Sequence, residues 1–178
     1  MKEQSAPRRR EATTPVKLVA ADVLLNRKNE IQNTIARRAY ELFEGHGSVN
    51  GHDIDDWIEA ELEVVRTYRH DLKESADAIV FKAELPCSFT TDQLNVSVEP
   101  RRLMLSGETE LDVIRGGDMP AHTEKRTQLI FGAEELPVDV DPSRAAANLK
   151  GDLLEVVMPR VAVDNKSNGK SKAASSGR

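Results

Sequence analysis

The side chains with reach for chemistry sit mostly around one loop. His46 and His52 flank the run GHGSVNG (45–51), and Asp53 follows the second histidine. Imidazole and carboxylate are zinc ligands, but a structural zinc site takes four ligands at defined spacing, and only three gather here. Gly45, Gly47 and Gly51 give the same run the look of a phosphate cradle. Such a cradle follows a strand, opens a helix and reads GxGxxG or GxxxxGK[ST]. This run follows a helix-periodic segment, and neither spacing is met. Cys87 comes directly after Leu85-Pro86, with no helix N-terminus or neighbouring base to lower its pKa. No GxSxG is present, and nothing local orients His70 or His122. Arg8, Arg9 and Arg10 form a basic cluster without interleaved aromatics, which reads as a solvated tail rather than a nucleic-acid platform. The expectation is therefore a chain that is not an enzyme and takes no cofactor or metal.

Composition points the same way. The 178 residues are 39% hydrophobic and 31% charged, with four Phe, two Tyr and one Trp. So few aromatics disfavour a base-stacking nucleic-acid binder, and the core must rest on Val, Leu and Ile. One cysteine excludes an internal disulfide and fits a reducing compartment. The net charge of −5 divides into +3 for residues 1–20, +3 for 161–178 and −11 for the stretch between. An acidic body between basic ends repels nucleic acid and anionic membrane over most of its surface. No apolar run approaches the roughly 20 residues that span a bilayer. VKLVAADVLL (16–25) is interrupted by Lys17 and Asp22 and has no cleavage site after it, so it does not read as a signal segment. The expected location is the cytoplasm.

The elements that must hold these residues fall into four stretches. Residues 1–28 read as a flexible leader with an apolar segment at 16–25. Residues 29–66 read as a helical hairpin. Its first helix, 30–44, carries Ile31, Ile35, Ala39, Leu42 and Phe43 on one stripe, with Asn29 as cap and Gly45 at its end. The second starts at Asp53 and carries Ile54, Trp57, Ile58, Leu62 and Val65, apolar but for Glu61. Such a hairpin buries too little to stand alone and must dock on something. From about residue 69 the period changes from 3.6 to 2. Strands are expected at 78–86, 94–98, 103–107, 127–137, 145–149 and 153–159, with no helical segment between them. Six or more short strands specify a mainly β sandwich, here over residues 69–160. Residues 161–178 are polar and low in complexity, a disordered tail.

Residues 69–160 resemble the alpha-crystallin domain of the small heat-shock proteins. AELP (83–86) resembles its strand-ending Leu-Pro, DQLNVSVEPRRLMLSGE (92–108) its hairpin, and Leu136-Pro137 with VDVDPSRAAANL its second Leu-Pro and next strand. LLEVVMPR (153–160) resembles its closing strand. The resemblance implies an immunoglobulin-like antiparallel β-sandwich over residues 69–160. The sequence departs from that pattern at Cys87, where the family has Gly, and at Gly151-Asp152, where Asp stands at the expected Gly position. The family's tail-docking I-x-I or I-x-V has one counterpart, Val161-Ala162-Val163, which lies close against Pro159-Arg160. The swapped dimer strand of the family would fall within residues 108–123, which carry no strong strand signal. ARRAYELFEGHG (36–47) and GHDIDDWIEAE (51–61) resemble a short bacterial domain of unknown function, which implies a bacterial origin.

The resemblance implies an ATP-independent holdase that binds unfolding clients through exposed apolar surface and associates with itself as a dimer or larger homo-oligomer. Val16, Leu18, Val19, Val23, Leu24 and Leu25 are the candidate client-binding residues. By the same resemblance, Leu94, Val96, Val98, Ala145, Ala147 and Leu149 would line a groove for clients or subunits. The rival expectation is a non-enzymatic adaptor, or co-chaperone-like module, with a dedicated partner.

Overall fold

The computed structural model describes residues 13–47, 51–115 and 122–161. It holds eight strands and two helices in three layers. Strand β1 (Thr14–Val16) is followed by helices α1 (Ala21–Gly45) and α2 (Asp53–Val64). Then come β2 (Arg69–Glu74), β3 (Ala78–Glu84), β4 (Leu94–Glu99), β5 (Arg102–Arg115), β6 (His122–Glu135), β7 (Ala146–Lys150) and β8 (Leu153–Pro159). One sheet has the order β1-β7-β8-β3-β2 and the other β4-β5-β6, every pair antiparallel.

The sandwich follows from alternation. Ile79, Phe81 and Ala83 of β3 and Leu154, Val156 and Met158 of β8 face inward, against Leu94 and Val96 of β4, Leu103 and Leu105 of β5 and Ile130 of β6. Gly107 permits close packing here. A Cβ on it would lie 2.9 Å from both Ile130 Cγ1 and Leu94 Cδ2 and 3.0 Å from Phe89. At the β7–β8 turn Gly151 has φ of 59°, left-handed backbone that suits glycine, and Asp152 completes the two-residue connection.

The helical hairpin forms the third layer, on the outer face of the three-stranded sheet. Ile31 and Ile35 of α1, Ala60 of α2 and Leu129 of β6 make a second buried cluster, with Phe131 packed beside them. This explains the continuous apolar run Leu129-Ile130-Phe131. Ile130 serves the sandwich core, and its neighbours serve the helices, so both faces of β6 are covered. Arg27 of α1 adds a salt bridge to Glu108 of β5.

Several expected boundaries change. Helix α1 begins at Ala21, not at 30, and Asn29 lies within it. Leu24 lies seven residues before Ile31 on the same stripe, and Leu24, Ile31 and Ile35 are all buried. The helix runs through Gly45, with His46 as C-cap, and the left-handed residue is Gly47, at φ of 82°. Helix α2 starts at Asp53 with His52 as cap, and no cap side chain bonds its end. Residues 13–28 are therefore strand and helix, not a free leader. The expectations for residues 1–12 and 162–178 lie outside the described residues. Residues 108–115 are strand after all, paired within the chain from Glu108↔Leu129 to Arg115↔His122.

Candidate functional site

The groups with catalytic potential are placed apart and in structural roles. His46 Nδ1 donates to Asp56 Oδ1 at 2.8 Å, tying the end of α1 to the first turns of α2. His52 Nδ1 stands 3.5 Å from Asp55 Oδ2. Among the described residues no three His, Cys, Asp or Glu side chains gather as a metal site would need. His70 stacks on Phe81, with ring centroids 5.6 Å apart, and its Nε2 is 3.3 Å from Glu134 Oε1. Burial pushes the Cys87 thiol pKa up, and the Asp152 charge adds to this. A thiol held protonated is a poor nucleophile.

Apolar surface is the remaining resource, and it lies in two places. The first is the sandwich edge where β7 and β4 approach each other. β1 lies along β7 with Thr14↔Leu149, Pro15↔Asn148 and Val16↔Ala147 in register. A proline is tolerated there because β1 is an edge strand. Two residues later the chain crosses to the other sheet. Leu18 pairs in parallel with Val96, and Val19 N donates to Val96 O at 2.8 Å. Val16 is buried in the core cluster, and Leu18 packs against it. This segment thus closes the gap between the two sheets with two apolar side chains.

That placement corrects the open-surface readings. Leu94, Val96, Ala147 and Leu149 are buried and Val98 and Ala145 half-buried, all within or against the core cluster on which Val16 and Leu18 of the strap also pack. Among the candidate client-binding residues, Val16 and Leu24 are buried and Leu18 and Val19 half-buried. Val23 and Leu25 alone of the six are exposed, at 47% and 39%. The 16–25 window is one apolar segment in sequence, but the structure divides it between a strap and the first turn of α1. Val161 is exposed, yet its N–H donates to Asp139 O at 3.1 Å, within its own sandwich. Ala162 and Val163 lie outside the described residues.

The second place is α2. Asp56 and Ala60 face the molecule, while Ile54, Trp57, Ile58 and Leu62 face outward, at 75%, 40%, 50% and 59% exposure. The stripe continues into a groove of about 320 Å³ whose apolar lining includes Ile58, Leu62, Tyr68 and Phe131 and whose charged lining is Glu61, Glu134 and Arg66, two acids against one base. Gly132 leaves room for Tyr68 there, since a Cβ on it would sit 1.8 Å from the Tyr68 hydroxyl. Burial, with help from the Glu134 charge, pushes the Tyr68 pKa up to about 12. The helical period in the sequence showed this stripe, but not that it points away from the core.

Residues 30–65 match a family described as a protein of unknown function, DUF2934. A 17.8 kDa class I heat shock protein of Arabidopsis thaliana is 27% identical over 105 residues, 58% of this chain and 66% of that protein. A 17.6 kDa class I heat shock protein of Solanum peruvianum is 30% identical over 98 residues, 54% of this chain and 63% of that protein. The match thus spans just under two thirds of each relative. Among solved structures, heat shock protein 16.0 from Schizosaccharomyces pombe aligns over 62% of this chain and 99% of its own, with 25% identity and a TM-score of 0.39. A small heat-shock protein from Xylella fastidiosa aligns over 64% of this chain and 98% of its own, with 19% identity and a TM-score of 0.42. By sequence, then, the chain has homologues among the small heat-shock proteins, and a domain of unknown function precedes the homologous region. The homology supports a chaperone family.

Proposed function

We propose that the chain is an ATP-independent holdase that captures unfolding proteins when the strap over its sandwich edge lifts. The observation that carries this reading is the double pairing of one short segment, Val16 with Ala147 and Leu18 with Val96. Lifting it uncovers Leu94, Val96, Ala147 and Leu149, and frees one edge of β7 to accept an extended client by strand addition. A three-residue edge strand is the kind of element that opens locally at low free-energy cost. Each large apolar side chain that a client seats there contributes about 1.5–3 kcal/mol before ordering costs. That suits weak, multivalent capture, which needs no nucleotide and no catalytic group. Val23 and Leu25, exposed at the start of α1, extend the surface. The acidic body keeps the chain soluble while apolar surface is uncovered.

In this reading the chain associates with itself, works in the cytoplasm, and has unfolded proteins as its partners. None of the described helices is long and apolar enough to cross a membrane. The test is light scattering of a heat-labile enzyme, with and without the chain, in nucleotide-free buffer. Suppression of scattering is expected; none at molar excess of the chain would sink the reading. An adaptor role remains the second reading, favoured by the outward stripe of α2.

A further inference from the structure

We propose that the outward face of α2 is a docking site for a cationic amphipathic helix of a partner protein. The argument begins with an inversion. An amphipathic helix on a domain surface normally turns its apolar stripe inward. α2 is held instead by Ala60 and Val64 and by Asp56, which accepts from His46, while Ile54, Trp57, Ile58 and Leu62 face solvent. Neighbouring groove residues on the sheet side, Tyr68 and Phe131, prolong the apolar surface beyond the helix. Together they offer a row about 12 Å long on α2, from the eight steps of 1.5 Å between Ile54 and Leu62, with a groove at one end. Helix-in-groove recognition uses anchors at this spacing.

Charge selects the occupant. α2 carries Asp53, Asp55, Asp56, Glu59, Glu61 and Glu63 and no lysine or arginine. Acids in the first turn suit the positive end of the helix dipole, but Glu61 and Glu63 stand in the last turn, where the dipole disfavours them. Arg38 offsets this for Glu63. Glu61 lies within the apolar stripe itself, so it serves neither helix stability nor a plain hydrophobic contact. A second copy of α2 would bring its exposed Asp53, Asp55, Glu59 and Glu61 against the same four acids, with no base in either helix. An anionic membrane is repelled for the same reason, since interfacial helices are rich in Lys and Arg. The chain's own basic ends, 1–12 and 162–178, contain no Leu, Ile, Phe or Trp with which to fill the stripe. A helix with an apolar stripe flanked by Lys or Arg meets both requirements.

Trp57 is the only tryptophan in the chain and stands on the stripe, so its fluorescence reads the site directly. The experiment titrates the full chain with a synthetic Leu/Lys amphipathic peptide of about four helical turns, and in parallel with the Leu/Glu peptide of the same pattern. A saturable blue shift with the Leu/Lys peptide alone is expected. Affinity should fall at least tenfold in Ile58→Glu/Leu62→Glu, both exposed positions, with circular dichroism unchanged. It should fall several-fold in Glu59→Gln/Glu61→Gln, which keeps the apolar row, and in about 0.5 M salt, where screening is strong. No shift, equal binding of the Leu/Glu peptide, or equal affinity in the variants would overturn the proposal. So would a blue shift that grows with the concentration of the chain alone, since a second copy would then cover the face. The light-scattering assay is independent of this outcome, because the strap and α2 are separate surfaces.

Discussion

Leu18 pairs with Val96 only two residues after Val16 has paired with Ala147, so a single short segment joins the edges of two different sheets. The strap is covalently continuous with α1, which packs against β4 and β5 of the three-stranded sheet. The edge of the sandwich is thus closed by a segment anchored at one end by α1, and the proposed function has this segment lift while α1 stays in place.

Replacing Val16 and Leu18 by Asp should detach the strap, at a cost of about 2–4 kcal/mol in lost apolar burial. The chain should then suppress client aggregation at several-fold lower molar ratio, with its β circular dichroism retained. Unchanged suppression in a folded variant would remove the strap as the gate. Deleting residues 16–25 is a poorer test, because Val16 and Leu24 are both core residues.

Gly107→Ala should destabilise the sandwich by about 1–3 kcal/mol through overpacking against Ile130, Leu94 and Phe89. Thermal unfolding should report a fall of several degrees. A melting temperature within a degree of wild type would mean that these side chains give way more readily than their packing implies.

The Tyr68 hydroxyl should ionise late, near pH 12, because burial holds it neutral. The folded chain binds this proton more tightly than the unfolded chain, so the stability it contributes is complete below pH 10. It is lost as pH rises from about 10 towards 12. Absorbance of tyrosinate against pH should show one late transition, absent in Tyr68→Phe. Denaturation midpoints of that variant should decline less over the same interval.

At the acid end, the hydrogen bond from Arg38 holds the Glu63 carboxyl below its ordinary pKa. The stability gained is present above the unfolded value of about 4.5 and is lost as pH falls through the lower folded value. Both side chains are more than a third exposed, so solvent screens the pair and the effect is small. Glu63→Gln should flatten this limb of the stability–pH curve; parallel curves for the two chains would show that the pair contributes nothing.

Alternation and turn residues determined the sandwich at the level of the sequence. Strands β3, β4, β7 and β8 begin and end within about two residues of where period 2 and the two Leu-Pro pairs place them. The existence of two helices and the acidic character of α2 were equally legible, though not the start of α1 at Ala21. These are local properties, because period and charge are written in neighbouring residues. Tertiary structure alone decided what covers each apolar row. Residues 108–115 look weak as a strand until they lie beside 122–129, where Lys125 Nζ reaches Glu110 Oε2 at 3.4 Å. The window 16–25 is apolar but for Lys17 and Asp22, yet its first part docks on two sheet edges and its last part begins a helix. The stripe of α2 was visible as a stripe, but its exposure depends on Asp56 and Ala60 facing α1 and the sheet instead. Periodicity states which side chains share a face; only long-range packing states whether that face meets the core or the solvent.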